Sequence, residues 1–339
     1  MGRPRKAGVN RQSYCHYLLS SQINYTNTYY AEHVETVSHD MVNRYLRRDK
    51  LTAGTVWKYV KDSIERHEEG FLVFDDTVLD KSHSREIEVA HWQYSGNAHN
   101  VIQGIGLVNC IYINPETNNY WVIDYRIYNK DSDGKTKLEH VKDMLNNVVK
   151  HKQLPFKTVL MDTWYATNKL MLHIHDLNKY FYCPIRKNRM ARTAGTKEYY
   201  KKVCDFEWTE EELQFGKAIR LREMPEKLMT KLFRVPISDR RTDHVITNDP
   251  SQHCVNDTRH VCAMRWMIEQ FHRELKQLTG IEQCQCRKQR IQRNHIACSM
   301  LVWFKLKNLA KEAKTTAYQI KHNLLNNYMG RQMKLNYFA

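Results

Sequence analysis

Read by the spacing of its apolar positions, the chain changes texture four times. Before Phe71 the apolar residues fall at helical intervals in HYLLSSQ, SHDMVNRYLRR and LTAGTVWKYVKDSIERH, with Ser38 and Thr52 placed as N-caps of the second and third helices. After Gly70 short apolar runs predict strands at FLVFDDT, GIGLVNCIYIN and NYWVIDYRIY, the last two joined by a turn at PETNN. A polar helix at Lys137–Lys150, a strand KTVLMDT, a helix from about Thr167 to Leu177 and a strand YFYCPIRK follow. Three strands, then helix, strand, helix, strand predict a mixed α/β sheet with helices on both faces. From Asn188 to about Pro250 the pattern is irregular and β-leaning, with AIRLREM and LFRVPIS as strands, and reads as an insertion into the domain.

The stretch Met264–Thr279 predicts a helix with two distinct faces. Met264, Ile268, Phe271, Leu275 and Leu278 make an apolar stripe for docking on a core. At about 100° per residue, Arg265, Glu269, His272 and Lys276 fall within roughly 60° of one another on a second stripe. Such a face is most often a solvated row of helical ion pairs; the remainder of the chain gives it another meaning. The next helix, NHIACSMLVWFKLKNLAKEA, is amphipathic, and the polar tail from residue 313 is expected to pack loosely. The divisions are therefore 1–70, a helical region for DNA binding; 71–187 and 256–312, the two parts of a core; 188–255, the β-rich insertion; and 313–339, the tail.

A formal charge of +16 over 339 residues favours a polyanionic partner, nucleic acid before an acidic membrane surface. The nine cysteines include no C-x-x-C pair, which suits a reduced cytoplasmic compartment. Apolar runs such as FLVF and MLVWF are too short to span a bilayer, and no signal-like apolar segment follows the basic start, so export and membrane insertion are not expected.

Candidate chemistry centres on carboxylates. One predicted strand runs into Asp75-Asp76-Thr77 and another into Asp162-Thr163. Functional groups collect beyond strand ends in open α/β sheets, although each Asp taken singly is more often a turn former. With Glu269 they make three hard oxygen ligands able to converge on Mg²⁺ or Mn²⁺. Two such ions about 4 Å apart serve the attacking and leaving oxygens of a phosphodiester. Strand alternation lets only one of Asp75 and Asp76 face the site easily.

These motifs together resemble the DDE transposases of bacterial insertion sequences, in the branch with a Tyr-Arg-Glu-Lys signature and nearest its insertion sequence 701-like group. Arg265, Glu269 and Lys276 keep the signature spacing, while Cys262 stands at the tyrosine position and lacks its phenolic hydroxyl. The apolar strand with Asp-x-Thr matches at Asp75-Asp76-Thr77, making Asp75 the ligand and Asp76 its alternative; VLMDTWY matches the second motif at Asp162. The resemblance implies an RNase H-like core, DNA cleavage and strand transfer with two Mg²⁺ (or Mn²⁺) ions on Asp75, Asp162 and Glu269, and DNA contacts from Arg265 and Lys276. It implies terminal inverted repeats and target DNA as partners, a homodimer on the assembled ends, and a bacterial, nucleoid-associated cytoplasmic location. A nuclease without strand transfer and a catalytically dead DNA-binding repressor are the competing readings. Trp208 lies in the region where relatives stack a flipped base, without a residue-by-residue match.

Other groups are weighed separately. His272 shares the Glu269 stripe and is expected at the surface, within reach of DNA. Arg287, Lys288 and Arg290 open an acid-free basic run, and Lys179–Lys197 holds another; both suit backbone phosphates. Arg44, Arg47, Arg48, Lys50 and Lys58 offer the same from a helix-turn-helix-like pair. Asp124, inside a strand, reads as structural, and Cys284-Gln-Cys286 with His295 lacks zinc-site spacing.

Overall fold

The computed structural model describes residues 8–84, 86–129, 131, 134–238 and 241–333. Four helices open the chain, α1 (Arg11–Ser20), α2 (Asn27–His33), α3 (His39–Arg48) and α4 (Ala53–Val60). Ser38 caps α3 by accepting the Met41 N–H, and Thr52 is the N-cap of α4, its own N–H bonded to Thr55 Oγ1 at 3.2 Å. The helix α2 was not expected; its seven residues carry too little periodic signal.

The strands β1 (Phe71–Asp80), β2 (His91–Ser95), β3 (Asn100–Ile113) and β4 (Tyr120–Tyr128) are followed by α5 (Lys137–Asn147), β5 (Thr158–Met161), α6 (Asn168–Asp176) and β6 (Tyr180–Ile185). In space the order is β4-β3-β1-β5-β6. The neighbours β4, β3 and β1 are antiparallel, and β5 and β6 run parallel to β1. Crossover helices supply the parallel pairings, and the result is the RNase H-like mixed sheet expected from the motifs. The short strand β2 pairs with the first residues of β3.

The next strands, β7 (Met190–Thr193), β8 (Lys201–Lys202), β9 (Lys217–Leu221), β10 (Thr230–Ser238) and β11 (Arg241–Thr247), continue the same sheet, because β11 pairs antiparallel with β6. A short helix, α7 (Glu210–Phe215), precedes β9.

Three helices then follow, α8 (Val255–Ala263), α9 (Trp266–Thr279) and α10 (Gln289–Glu312). Ile268, Phe271, Leu275 and Leu278 are buried as the apolar stripe required. The predicted start is corrected: Met264 and Arg265 form a turn, and α9 begins at Trp266. It stops at Gly280, φ 66°, where a Cβ would stand 2.1 Å from the Tyr25 ring.

Two apolar cores meet at α9 and α10. One joins the sheet to α9; the other packs Tyr14, Leu18, Val42 and Leu46 of the opening helices on Ile291, Cys298, Val302 and Leu306 of α10. Buried Asn294 bonds Leu46 O and Asp49 O at 2.7 Å each and accepts the Leu51 N–H, tying the α3–α4 link to α10. Buried His295 contacts Tyr14 OH and Gly280 O, and burial pushes its pKa down to about 3.

The expectation of a loosely packed tail is corrected for residues 317–333; residues 334–339 lie outside the described residues. The chain forms α11 (Ala317–Met333), with Ala317 buried and Lys321 Nζ donating to Leu18 O at 2.9 Å and Leu19 O at 2.7 Å. The polar composition hid this, because the lysine reaches carbonyls at the end of α1. No helix among the described residues is long and apolar enough to cross a membrane.

Candidate active site

The parallel register of β1 and β5 pairs Phe74 with Met161, so Asp75 and Asp162 are each the next residue on adjacent strands. Strands lie about 4.8 Å apart, which sets the two carboxylates side by side. The sequence reading had both strands ending there. Only β5 does; β1 continues to Asp80, paired with β3, so the half-buried Asp75 opens onto the space beyond the end of β5.

Alternation separates Asp75 from Asp76. Asp76 accepts from Tyr165 OH at 2.8 Å and Lys137 Nζ at 2.5 Å, so its charge is already balanced. Asp75 pairs in register with Asn109, whose Nδ2 is 2.9 Å from His272 Nε2 of α9, which puts Asp75 toward that helix. Burial, and then the Asp162 and Asp76 charges, raise its pKa to about 8. Burial also raises the pKa of Asp162, opposed by the Tyr165 and Trp164 backbone N–H groups that its Oδ1 accepts.

Glu269 enters from the first turn of α9, where Arg265 Nη2 holds its Oε1 at 2.8 Å. A cleft of about 650 Å³ brings together Asp75, Asp76, Asp162, Glu269, Arg265, His272 and Lys276. Within it the carboxylates share the walls with Lys137, Arg265, Arg273 and Lys276 and form no closed cage. Among the described residues, no three His, Cys, Asp or Glu side chains stand close enough to hold a metal ion. The donor set still fits a hard divalent cation: all three are carboxylates, and among the described residues no lysine or arginine is ion-paired with Asp75.

The remaining predicted contacts divide. Lys276 lines the cleft but is held by Glu282 at 3.0 Å and Val78 O at 2.7 Å. The reading of His272 as a surface group is corrected: it is 8% exposed, and burial, then Lys276, push its pKa down to about 3, so it is neutral. Packing of α9 on β3 turned the stripe's edge inward, which helical spacing does not reveal. Arg287 and Lys288 lie outside the cleft, paired with Glu86 and Glu88, and Arg290 lines a separate cavity. Cys262 is half-buried against the core.

Lys137, Trp164 and Tyr94 are among the cleft residues that escaped the sequence reading. Trp164, 46% exposed, follows Asp162 by two residues in the quoted motif and was available. Tyr94, 62% exposed, belongs to β2, whose alternating HWQYS followed by a Gly-Asn turn is a hairpin signal. Asp124 is structural, as read: it is buried in β4 and accepts from Arg126, from Asn147 Nδ2 at 2.9 Å and from Lys152 Nζ at 2.8 Å.

A family model described as the transposase DDE domain matches residues 66–304. Among solved structures, the chain is similar to the piggyBac transposase synaptic complex with hairpin DNA, at 10% identity and a TM-score of 0.49 over 100% of this chain and 75% of that one. It is similar to the Drosophila P element transposase strand transfer complex at 15% identity and 0.29, over 50% and 36% of the two chains. For Ciona intestinalis endonuclease V in complex with DNA the values are 11% and 0.31, over 66% and 96%. No curated protein matches the sequence.

Proposed function

Because the chain belongs to the transposase DDE domain family, whose members are enzymes of phosphodiester cleavage and transfer, we propose that it nicks DNA at the ends of an insertion sequence and joins the freed 3′-hydroxyls to target DNA. The observation that carries this is the placing of Asp75 beside Asp162 on parallel strands, in one cleft with Glu269.

In this reading Asp75, Asp162 and Glu269 hold two Mg²⁺ or Mn²⁺ ions, with Asp75 the ligand and Asp76 anchored to Lys137 and Tyr165. The ions, when bound, activate the attacking oxygen and stabilise the leaving one. Asp75 gives up the proton that its buried setting favours, and the neutral His272–Asn109 pair fixes α9 against β3. Arg265 and Lys276 keep the spacing of the Tyr-Arg-Glu-Lys signature; on this account they exchange Glu269 and Glu282 for DNA phosphates, a swap of one charge-assisted partner for another. The terminal inverted repeats bind the opening helices as well, and two ends imply a homodimer on DNA.

The test is a strand-transfer assay with a labelled, end-containing duplex and Mg²⁺. Wild type is expected to join labelled 3′ ends to a second duplex, and Glu269→Gln to lose both cutting and joining by about a thousandfold or more, on the order of 4 kcal/mol. Ends that are cut and never joined favour the plain nuclease. Binding without cutting in any divalent ion favours the repressor.

A further inference from the structure

We propose that a cavity between the start of α4 and the start of α10 is a second seat for a DNA backbone phosphate, separate from the catalytic cleft. The inference rests on the DNA-cutting function proposed above and adds where the same duplex is gripped. The cavity measures about 520 Å³, and no Asp or Glu lines it. Its walls include Gly54 of α4, Arg126 of β4, and Arg290 and Arg293 of α10.

The charge in the cavity is uncompensated. Arg126 is committed to Asp124, but among the described residues neither Arg290 nor Arg293 has an acidic partner. The first turn of α4 contains no acid, and its Ala53 and Gly54 N–H groups precede any intrahelical acceptor. At α10 the Gln289 N–H is already bonded to Glu88, so the donors that face the cavity come from α4 and from the two arginines. Two free guanidinium groups and free backbone N–H groups around one recess match the several oxygens of a phosphate.

The register fixes its distance from the chemistry. Asp76, Val108 and Arg126 lie in one row across β1, β3 and β4. Two strand spacings put the backbone of Arg126 about 10 Å from that of Asp76, well within the 34 Å or so of one duplex turn. The cavity is therefore within the span of a duplex whose scissile phosphate lies in the catalytic cleft.

The experiment titrates the full chain with a labelled end-containing duplex between 50 and 200 mM salt. Replacing both arginines, Arg290→Gln with Arg293→Gln, is expected to weaken binding tenfold or more and to flatten the salt slope by roughly 1.8, two phosphate contacts at about 0.9 each. Gly54→Glu is the second variant. Gly54 is exposed, and a Cβ there meets only Thr52 Oγ1 at 3.4 Å. A Glu at that position suits a helix N-terminus while placing a carboxylate in the seat, so it should fold normally and bind DNA at least fivefold more weakly.

The seat is disproved if wild type binds and cuts while both variants titrate like it. It is equally disproved if inorganic phosphate alone stabilises wild type but not the variants and the DNA slope is unchanged, which would make it a free-anion site. If wild type shows no salt-dependent DNA binding, the proposed function falls with it.

Discussion

Asp75→Asn is expected to abolish strand cleavage and, in the presence of a chelator, to raise the melting temperature. The two effects share one cause. Asp75 is half-buried beside two other carboxylates, and its pKa stands at about 8 against an ordinary 3.8. Each unit is worth about 1.4 kcal/mol, so keeping this proton at neutral pH, where the unfolded chain has lost it, costs the metal-free fold a few kcal/mol. An amide of the same shape removes that cost, and the melting temperature should rise by several degrees. It also removes a charged oxygen ligand, and cleavage in Mg²⁺ should fall by a thousandfold or more, about 4 kcal/mol of transition-state stabilisation.

The sign of the pH dependence follows from the same shift. Between about pH 4 and pH 8 the folded chain keeps the Asp75 proton and the unfolded chain has lost it. The folded state then binds more protons, so stability falls as pH rises through this window and levels above it. Thermal unfolding across pH with a chelator present checks this: the wild-type curve should descend, and that of Asp75→Asn should be flatter. Equal curves would mean that Asp75 titrates normally.

Asp124→Ala is expected to be the more damaging change to the fold. Its carboxylate receives Lys152, Asn147 and Arg126, and the Asp124 and Lys152 side chains are 1% and 5% exposed. Truncation leaves Lys152 buried without its counter-charge, a loss of about 3–5 kcal/mol. Denaturant unfolding should show it directly. Adding Lys152→Met should recover part of the loss, because removing both charges is far less costly than removing one. A normal melt for Asp124→Ala would contradict the structural role and reopen this acid as a catalytic one.

The contrast between these two acids shows what the sequence makes legible. Asp124 sits mid-strand with apolar flanks, and burial with a partner follows from that pattern. Asp162 follows an apolar strand that ends there, and its place at a strand end was also readable. Asp75 was located for a partly different reason: β1 runs on past it, and what frees its side chain is the shorter β5 alongside. Pairing register is a property of two strands and is absent from either alone.

The same limit explains His272 and the tail. Spacing put His272 on the charged stripe of α9, but only the approach of Asn109 from β3 decides that this edge of the stripe is buried. The polar tail gave no apolar face to read, and α11 is held in part by Lys321 bonding to carbonyls of α1, an interaction with no periodicity. The insertion strands were partly visible, yet their pairing onto β6 depends on β11, whose RTDHVIT carries several polar residues. Nothing in its hydrophobicity marks it as the strand that joins insertion to core.

The account depends on Asp75, Asp162 and Glu269 sharing divalent ions. The most direct measurement is anomalous scattering at the manganese edge from crystals of the chain bound to an end-containing duplex with Mn²⁺. The predicted result is density within about 2.5 Å of carboxylate oxygens of both Asp75 and Asp162, with Glu269 released from Arg265 to join a second peak. Manganese bound only at Asp76, or at no carboxylate of this cleft, would contradict it.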